Sequence, residues 1–233
     1  MNVLIFGATG MVGQGVLREC LLDPQVRLVT TIGRSATGVI DPKLKEIVHA
    51  DLWNYSAIET RLTGFDACFF CLGVSSAGMS EADYDRVTYG ITMAAAETLS
   101  RLNPRMTFIF VSGAGTDSSE KGKTMWARIK GKTENALQRL HFKAAYMFRP
   151  GVIQPLHGIK SKTAIYRVGY SILGPLMPLL RRLFPRQITT TEELGRAMLA
   201  VAKNGAPKKV LEGADIIQAA TSAKMVPIKT PSS

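Results

Sequence analysis

The sequence predicts an α/β protein, a single domain built on one doubly wound parallel sheet. Three observations predict it. Short apolar, strand-like runs alternate with helical patterns along almost the whole chain. A continuous apolar run is what a strand needs when helices cover both of its faces. The length, 233 residues, allows one sizeable core and is short for two.

The elements follow in order. Residues 3–6 lie in the run "VLIF" and open the sheet. A helix is expected over 11–22, strands over 28–32 and 46–48, and a short helix near 55–62. The run "ACFFCL" predicts a strand over 67–72. A long helix is expected over 81–102, a strand over 107–112, a helix over 124–140 and a strand over 144–148. The next helix, near 190–203, opens on "TTTEEL", where Thr190 and Glu193 have the spacing of a capping box. A short strand is expected over 209–212. Residues 1–215 then form one domain, with a small substrate-side segment at about 152–190, and 216–233 a C-terminal tail. The last ten residues, "KMVPIKTPSS", read as flexible.

Composition narrows the function classes. Hydrophobic residues make up 46% and charged residues 20%, an ordinary globular balance. Three cysteines do not make a disulfide framework and fit a reducing compartment. No charged leader or cleavage site precedes the first strand, so a cytoplasmic location without a signal peptide is expected. Cys68 and Cys71 form a C-x-x-C, but residues three apart on a strand point to opposite faces, so they are expected neither to pair nor to share a metal. His49, His141 and His157 fall in no ligand spacing, and no metal site is expected.

Charge is uneven. Residues 1–100 carry 7 Lys/Arg against 11 Asp/Glu, and residues 101–233 carry 22 against 7. The basic half suits an anionic ligand or surface, or is simply a solvated face. No zinc-finger spacing or aromatic-basic RNA motif points to a dedicated nucleic-acid binder. Residues 164–184 hold an uncharged run of thirteen residues, too short to span a bilayer. They read either as a buried helix and turn or as an interfacial contact with an anionic membrane, with Arg167, Arg181 and Arg182 near lipid phosphates.

The most specific signal is "GATGMVG", set between the first strand and the first helix. Gly7, Thr9 and Gly10 make a turn that lets backbone approach a pyrophosphate. Met11 and Val12 begin a helix whose N-terminus offers free N–H groups and a positive dipole end. Gly13 lets helix pack closely on strand. Together these predict a dinucleotide cofactor. The second strand ends on Gly33, Arg34 and Ser35, with no acidic residue to hold a ribose 2′-hydroxyl. Arg34 either holds a 2′-phosphate, which favours NADP(H) over NAD(H), or is an exposed loop residue that serves both. After the third strand, Asp51 either accepts from the adenine amine, with Leu52 packed near the ring, or is a loop or capping carboxylate.

These pieces, in this order, resemble the short-chain dehydrogenase/reductase superfamily, in its atypical extended branch of epimerase-like and Tat-interacting-protein-like members. The resemblance covers about residues 1–215. It rests on "GATGMVG", "HADL", "CLG", "VSGAG", "WARIKGK" and "FRPGVIQP". It implies a Rossmann-type fold and an oxidoreductase or NADP(H)-binding role. It also implies that Cys71, Leu72 and Gly73 line the adenosine side, and that Ser112 is the catalytic serine. Lys130 would hydrogen-bond the nicotinamide ribose, and Pro150, Gly151 and Val152 would border the nicotinamide amide. Pairing into a homodimer through the helices near 81–102 and 124–140 follows by the same likeness.

Active members of that superfamily carry a tyrosine four residues before the lysine. The ammonium lowers the phenol's pKa, and the phenol exchanges a proton while hydride moves. Here the position is Trp126, and an indole N–H does not act as an acid or base near neutral pH. No tyrosine elsewhere stands four residues before a lysine. Three readings follow. One is an NADP(H)-dependent oxidoreductase of an unknown small molecule, with proton donation from Tyr84, Tyr89 or a water held by Ser112. The second is a non-catalytic NADP(H)-binding regulator or sensor acting through a partner. The third is a scaffold that keeps only the fold.

Overall fold

The computed structural model describes residues 1–159, 182–183 and 187–224. Seven strands form one parallel sheet: β1 (Asn2–Phe6), β2 (Leu28–Gly33), β3 (Leu44–Val48), β4 (Ala67–Phe70), β5 (Thr107–Val111), β6 (Ala144–Arg149) and β9 (Val210–Glu212). Their order is β3-β2-β1-β4-β5-β6-β9, so the sheet runs outward in both directions from the β1/β4 pair. Register is continuous across this pair, with Val3 opposite Ala67 and Phe6 opposite Phe70. Two short strands, β7 (Val152–Gln154) and β8 (Ile188–Thr190), pair in parallel as a separate ribbon.

The apolar strands divide their side chains between two cores, as the period of two requires. Val3, Ile5 and Phe69 face α1 (Met11–Leu22), α5 (Thr191–Asn204) and α6 (Gly213–Lys224). Leu4, Phe6, Phe70 and Phe108 face α3 (Ile91–Leu102) and α4 (Met125–Leu137). On that second face Phe6 stacks on Phe70 at 5.1 Å between ring centroids, and Phe70 stacks on Phe108 at 5.9 Å. Cys68 lies in the second core while Cys71 packs against the first, on opposite faces as expected.

Several elements differ from the sequence expectation. The fourth strand stops at Phe70, and the backbone of Cys71 and Leu72 that follows lies directly against Gly7. Residues 56–61 are a 3-10 helix. The expected helix over 81–102 is α2 (Glu81–Asp85), a wide π turn (Arg86–Gly90) and then α3. The wide turn lies where the Trp53 indole sits against Gly90 and Arg86 covers the same ring, 5.4 Å from its centroid. The Thr190 capping box forms as expected, with Glu193 as its partner. Residues 213–224 form α6, which buries Ile216 and Ala220 in the first core, so position 216 lies inside a packed helix and not in a tail. Residues 225–233, and all of 164–184 except 182–183, lie outside the described residues. Among the described residues no helix is long and apolar enough to cross a membrane.

Candidate functional site

The carboxyl ends of β1 and β4 flank the point where strand order reverses, the usual ligand crevice of an open parallel sheet. The glycine turn lies there. Gly7 has φ +77°, a left-handed conformation that glycine adopts without strain, and its carbonyl accepts from the Gly10 N–H at 2.9 Å. A Cβ on Gly7 would stand 2.8 Å from the backbone of Cys71 and Leu72, and one on Gly13 would stand 2.1 Å from the Gly7 oxygen. Turn, helix and neighbouring strand are therefore in backbone contact.

Gly10 caps α1 without any side-chain acceptor, and the first turn, starting at Met11 and Val12, carries no acidic residue. Its free N–H groups and positive dipole end fit the pyrophosphate of a dinucleotide. The Thr9 carbonyl is engaged by the Gln14 side chain at 3.1 Å, which stiffens the turn. Beside it, the Cys71 N–H donates to Phe6 at 3.0 Å, Leu72 is half-buried and Gly73 is exposed. Burial pushes the Cys71 thiol up to about 12, so it is no nucleophile near neutral pH.

Arg34 and Asp51 lie to one side, just past the ends of β2 and β3, and both are exposed. The Asp51 carboxylate accepts the Trp53 N–H at 3.0 Å, which shapes a turn. Leu52 is buried in the second core with Phe6 and Tyr55.

On the other side, β5, α4 and β6 converge. Ser112 follows β5 and is 7% exposed. Its hydroxyl donates to Glu134 at 2.5 Å and lies 3.2 Å from the Phe148 carbonyl. That hydroxyl is thus occupied within the protein, and it is the Ser112 carbonyl that faces Lys130, accepting from its Nζ. Burial lowers the Lys130 ammonium from 10.5 to about 8, against the upward pull of Glu134. Trp126, one turn earlier, is half-buried beside the loop after β5, where a Cβ on Gly115 would stand 3.5 Å from its ring. Tyr84 is buried in α2, and Tyr89 lies under the Lys132 ammonium, 4.1 Å from its ring centroid. The Pro150 carbonyl accepts the Ala114 N–H at 2.9 Å. A Cβ on Gly151 would stand 2.6 Å from the Gln187 oxygen, and Val152 opens β7.

Sequence reading missed Glu134. It is fully buried and accepts from Ser112 and, through two nitrogens, from Arg149 at the end of β6. Arg149 also reaches Glu212 of β9 at 3.2 Å. The visible signal was an arginine closing the otherwise apolar strand "AAYMFR".

A parallel sheet with an uncapped glycine turn at its switch point and a lysine beside the end of β5 defines a nicotinamide-dinucleotide-binding protein. Residues 7–149 match the family described as NAD(P)H-binding, and the chain belongs to that family. Its fold is shared with solved short-chain dehydrogenase/reductase and UDP-glucose 4-epimerase structures. WbmF of Bordetella bronchiseptica, solved with NAD+, superposes with a TM-score of 0.66 at 14% identity, over 95% of this chain and 77% of that one. UDP-glucose 4-epimerase of Thermotoga maritima gives 0.61 at 13% identity, over 86% and 73%. Among relatives by sequence, protein fmp52-2, mitochondrial, of Aspergillus oryzae is 26% identical over 92% of this chain and 94% of its own length. Protein FMP52-1, mitochondrial, of Scheffersomyces stipitis is 26% identical over 66% of this chain and 67% of its own. The expected cytoplasmic location is corrected by these relatives, which are named as mitochondrial proteins.

Proposed function

We propose that this chain is an NADP(H)-dependent oxidoreductase acting on a small molecule, with proton delivery that does not use a tyrosine. The observation that supports it is the Lys130 ammonium, held at the Ser112 carbonyl on the same sheet end as the uncapped glycine turn. In this reading the N–H groups around Gly10 hold the pyrophosphate, Arg34 the 2′-phosphate, and Lys130 the nicotinamide ribose. Cys71–Gly73 and Pro150–Val152 border the adenosine and amide ends, with Leu52 behind the adenine side. The bound dinucleotide supplies or accepts the hydride. Ser112 acts by holding Lys130, since its hydroxyl is engaged by Glu134. Trp126 exchanges no proton, so the substrate is one whose product takes its proton from water, such as a conjugated double bond.

A second reading, a non-catalytic NADP(H) sensor, is favoured by one observation: the hydroxyl of Ser112 and the ring of Trp126 are both committed to packing within the protein. Titration of NADPH fluorescence, followed by turnover assays on enones, quinones, aldehydes and ketones, separates the two. Saturable binding with enone or quinone reduction is expected. Binding without turnover on any of them leaves the sensor, and no binding defeats both. The Trp126→Tyr variant is expected to gain slow reduction of simple aldehydes, because it restores a phenol one helical turn from Lys130.

A further inference from the structure

Ser112 is gripped from two sides. Its hydroxyl donates to Glu134 and its carbonyl accepts from Lys130, while its N–H donates to the Phe148 carbonyl at 2.9 Å. Glu134 and Lys130 are four residues apart on α4, so carboxylate and ammonium lie on one helical face with the Ser112 peptide between them. A fully buried carboxylate is retained only when its oxygens are well paired. Here Arg149 supplies Nε at 3.0 Å and a second nitrogen, and also reaches Ser118 in the loop after β5. Arg149 immediately precedes Pro150 and Gly151. One buried carboxylate therefore ties together the end of β5, the lysine helix and the exit of β6, the three elements that frame the nicotinamide end of the proposed site.

We propose that Glu134 is the positioning residue of this site: acting through Ser112, it fixes the Lys130 ammonium at the place where the nicotinamide ribose is bound. The inference rests on the cofactor reading above, but the coupling of Glu134 to Lys130 is a property of the protein alone. The Glu134–Arg149 ion pair leaves the carboxylate paired while it also accepts the Ser112 hydroxyl, which holds Ser112 in place. Among the described residues the charged groups near Lys130 can be named. Glu134 lies on its own helix, with Arg149 and Glu212 behind it from β6 and β9. Asp117, in the loop after β5, is turned to Ser119 and the Gly122 N–H, and Asp85 of α2 is paired with Lys132. Burial is the larger influence on the Lys130 ammonium and lowers it, and Glu134 is the carboxylate that pulls it back up.

The test reads Lys130 directly. The intact protein is pulse-acetylated across a pH series, and Lys130 acetylation is followed by peptide mass mapping, with NADPH affinity measured in parallel. Glu134→Gln keeps the shape and an acceptor for the Ser112 hydroxyl but removes the charge. Its acetylation midpoint is expected to fall by about one pH unit and its NADPH affinity roughly ten-fold. Glu134→Asp, which keeps the charge, is expected to restore the midpoint. Ser112→Ala leaves the Glu134–Arg149 pair whole and cuts only the link, so it guards against a Gln variant that fails to fold. It is expected to weaken NADPH several-fold while the protein stays folded. An unchanged midpoint in Glu134→Gln, or unchanged NADPH affinity in Ser112→Ala, would overturn the proposal. If the wild type binds no NADPH, the cofactor reading fails, and the acetylation midpoint still decides whether Glu134 governs Lys130.

Discussion

Lys130 combines two opposed demands. Its ammonium is drawn into the protein to meet the Ser112 carbonyl, and burial lowers its pKa to about 8. In the unfolded chain the same lysine titrates near 10.5. Below about pH 8 both states are protonated, and the folded state carries the full cost of a buried charge. As pH rises from about 8 toward 10.5 the folded state releases its proton first, so that cost is relieved and stability from this group increases. Lys130→Met removes the titration. Its unfolding free energy relative to wild type is expected to decline from pH 7 to pH 9.5, as measured by urea denaturation. Cofactor affinity runs the opposite way. NADPH binding to the wild type should weaken above about pH 8, where the ammonium is lost, and Lys130→Met should bind weakly at every pH.

At the scale of elements, the contact between the lysine helix and the loop after β5 is set by a missing side chain. A Cβ on Gly131 of α4 would stand 1.7 Å from the Asp117 oxygen, so the loop after β5 lies directly on the lysine helix. Gly131→Ala is expected to cost about 3 kcal/mol or more, because backbone and not a flexible side chain must move. Gly73→Ala, where a Cβ meets nothing within 4 Å, should change stability by less than about 0.5 kcal/mol. Chemical denaturation of both checks the contrast. Neither Gly131 nor Glu134 was legible as special in the sequence, because each depends on what a distant loop or strand brings to it. The elements that were legible carry their signal locally, whatever distant partners they later meet. The run "VLIF", the glycine turn and the Thr190–Glu193 capping box are fixed by composition and short-range spacing. The π turn at Arg86–Gly90 and the β7/β8 ribbon arise from packing between distant segments and leave no short-range pattern. Lys130 was found by its likeness to a family motif. The acceptor it meets within the protein, the Ser112 carbonyl, has no sequence signature.

At the scale of the molecule, the proposed ligand touches both halves of the sheet. The glycine turn hangs from β1, Arg34 follows β2, and Lys130 belongs to the β5–β6 half. A dinucleotide bound across the switch point links these halves and binds the folded state only. Saturating NADPH should therefore raise the melting temperature, with about 2.7 kcal/mol of added stability at a hundred times Kd. NADH at the same concentration should raise it less, and Arg34→Ala should erase the difference. Differential scanning fluorimetry with both nucleotides reads this. Equal shifts from the two nucleotides in the wild type would remove Arg34 from the account of cofactor choice.

The strand order also carries a consequence for how the chain folds. Among the described residues β1, the first strand in chain order, is an interior strand of the finished sheet, lying between β2 and β4. One of its edges pairs with residues 28–33 and the other with residues 67–70, and the strand at 210–212 forms the far edge of the sheet. Until both partners are in place the uncharged apolar segment "NVLIF" is unpaired on at least one side. Parallel pairing of distant segments is slow, and such edges attract other chains. Refolding from denaturant should accordingly lose yield as protein concentration rises, and co-expression with a chaperone that shields nascent apolar segments is the condition under which soluble protein is best obtained.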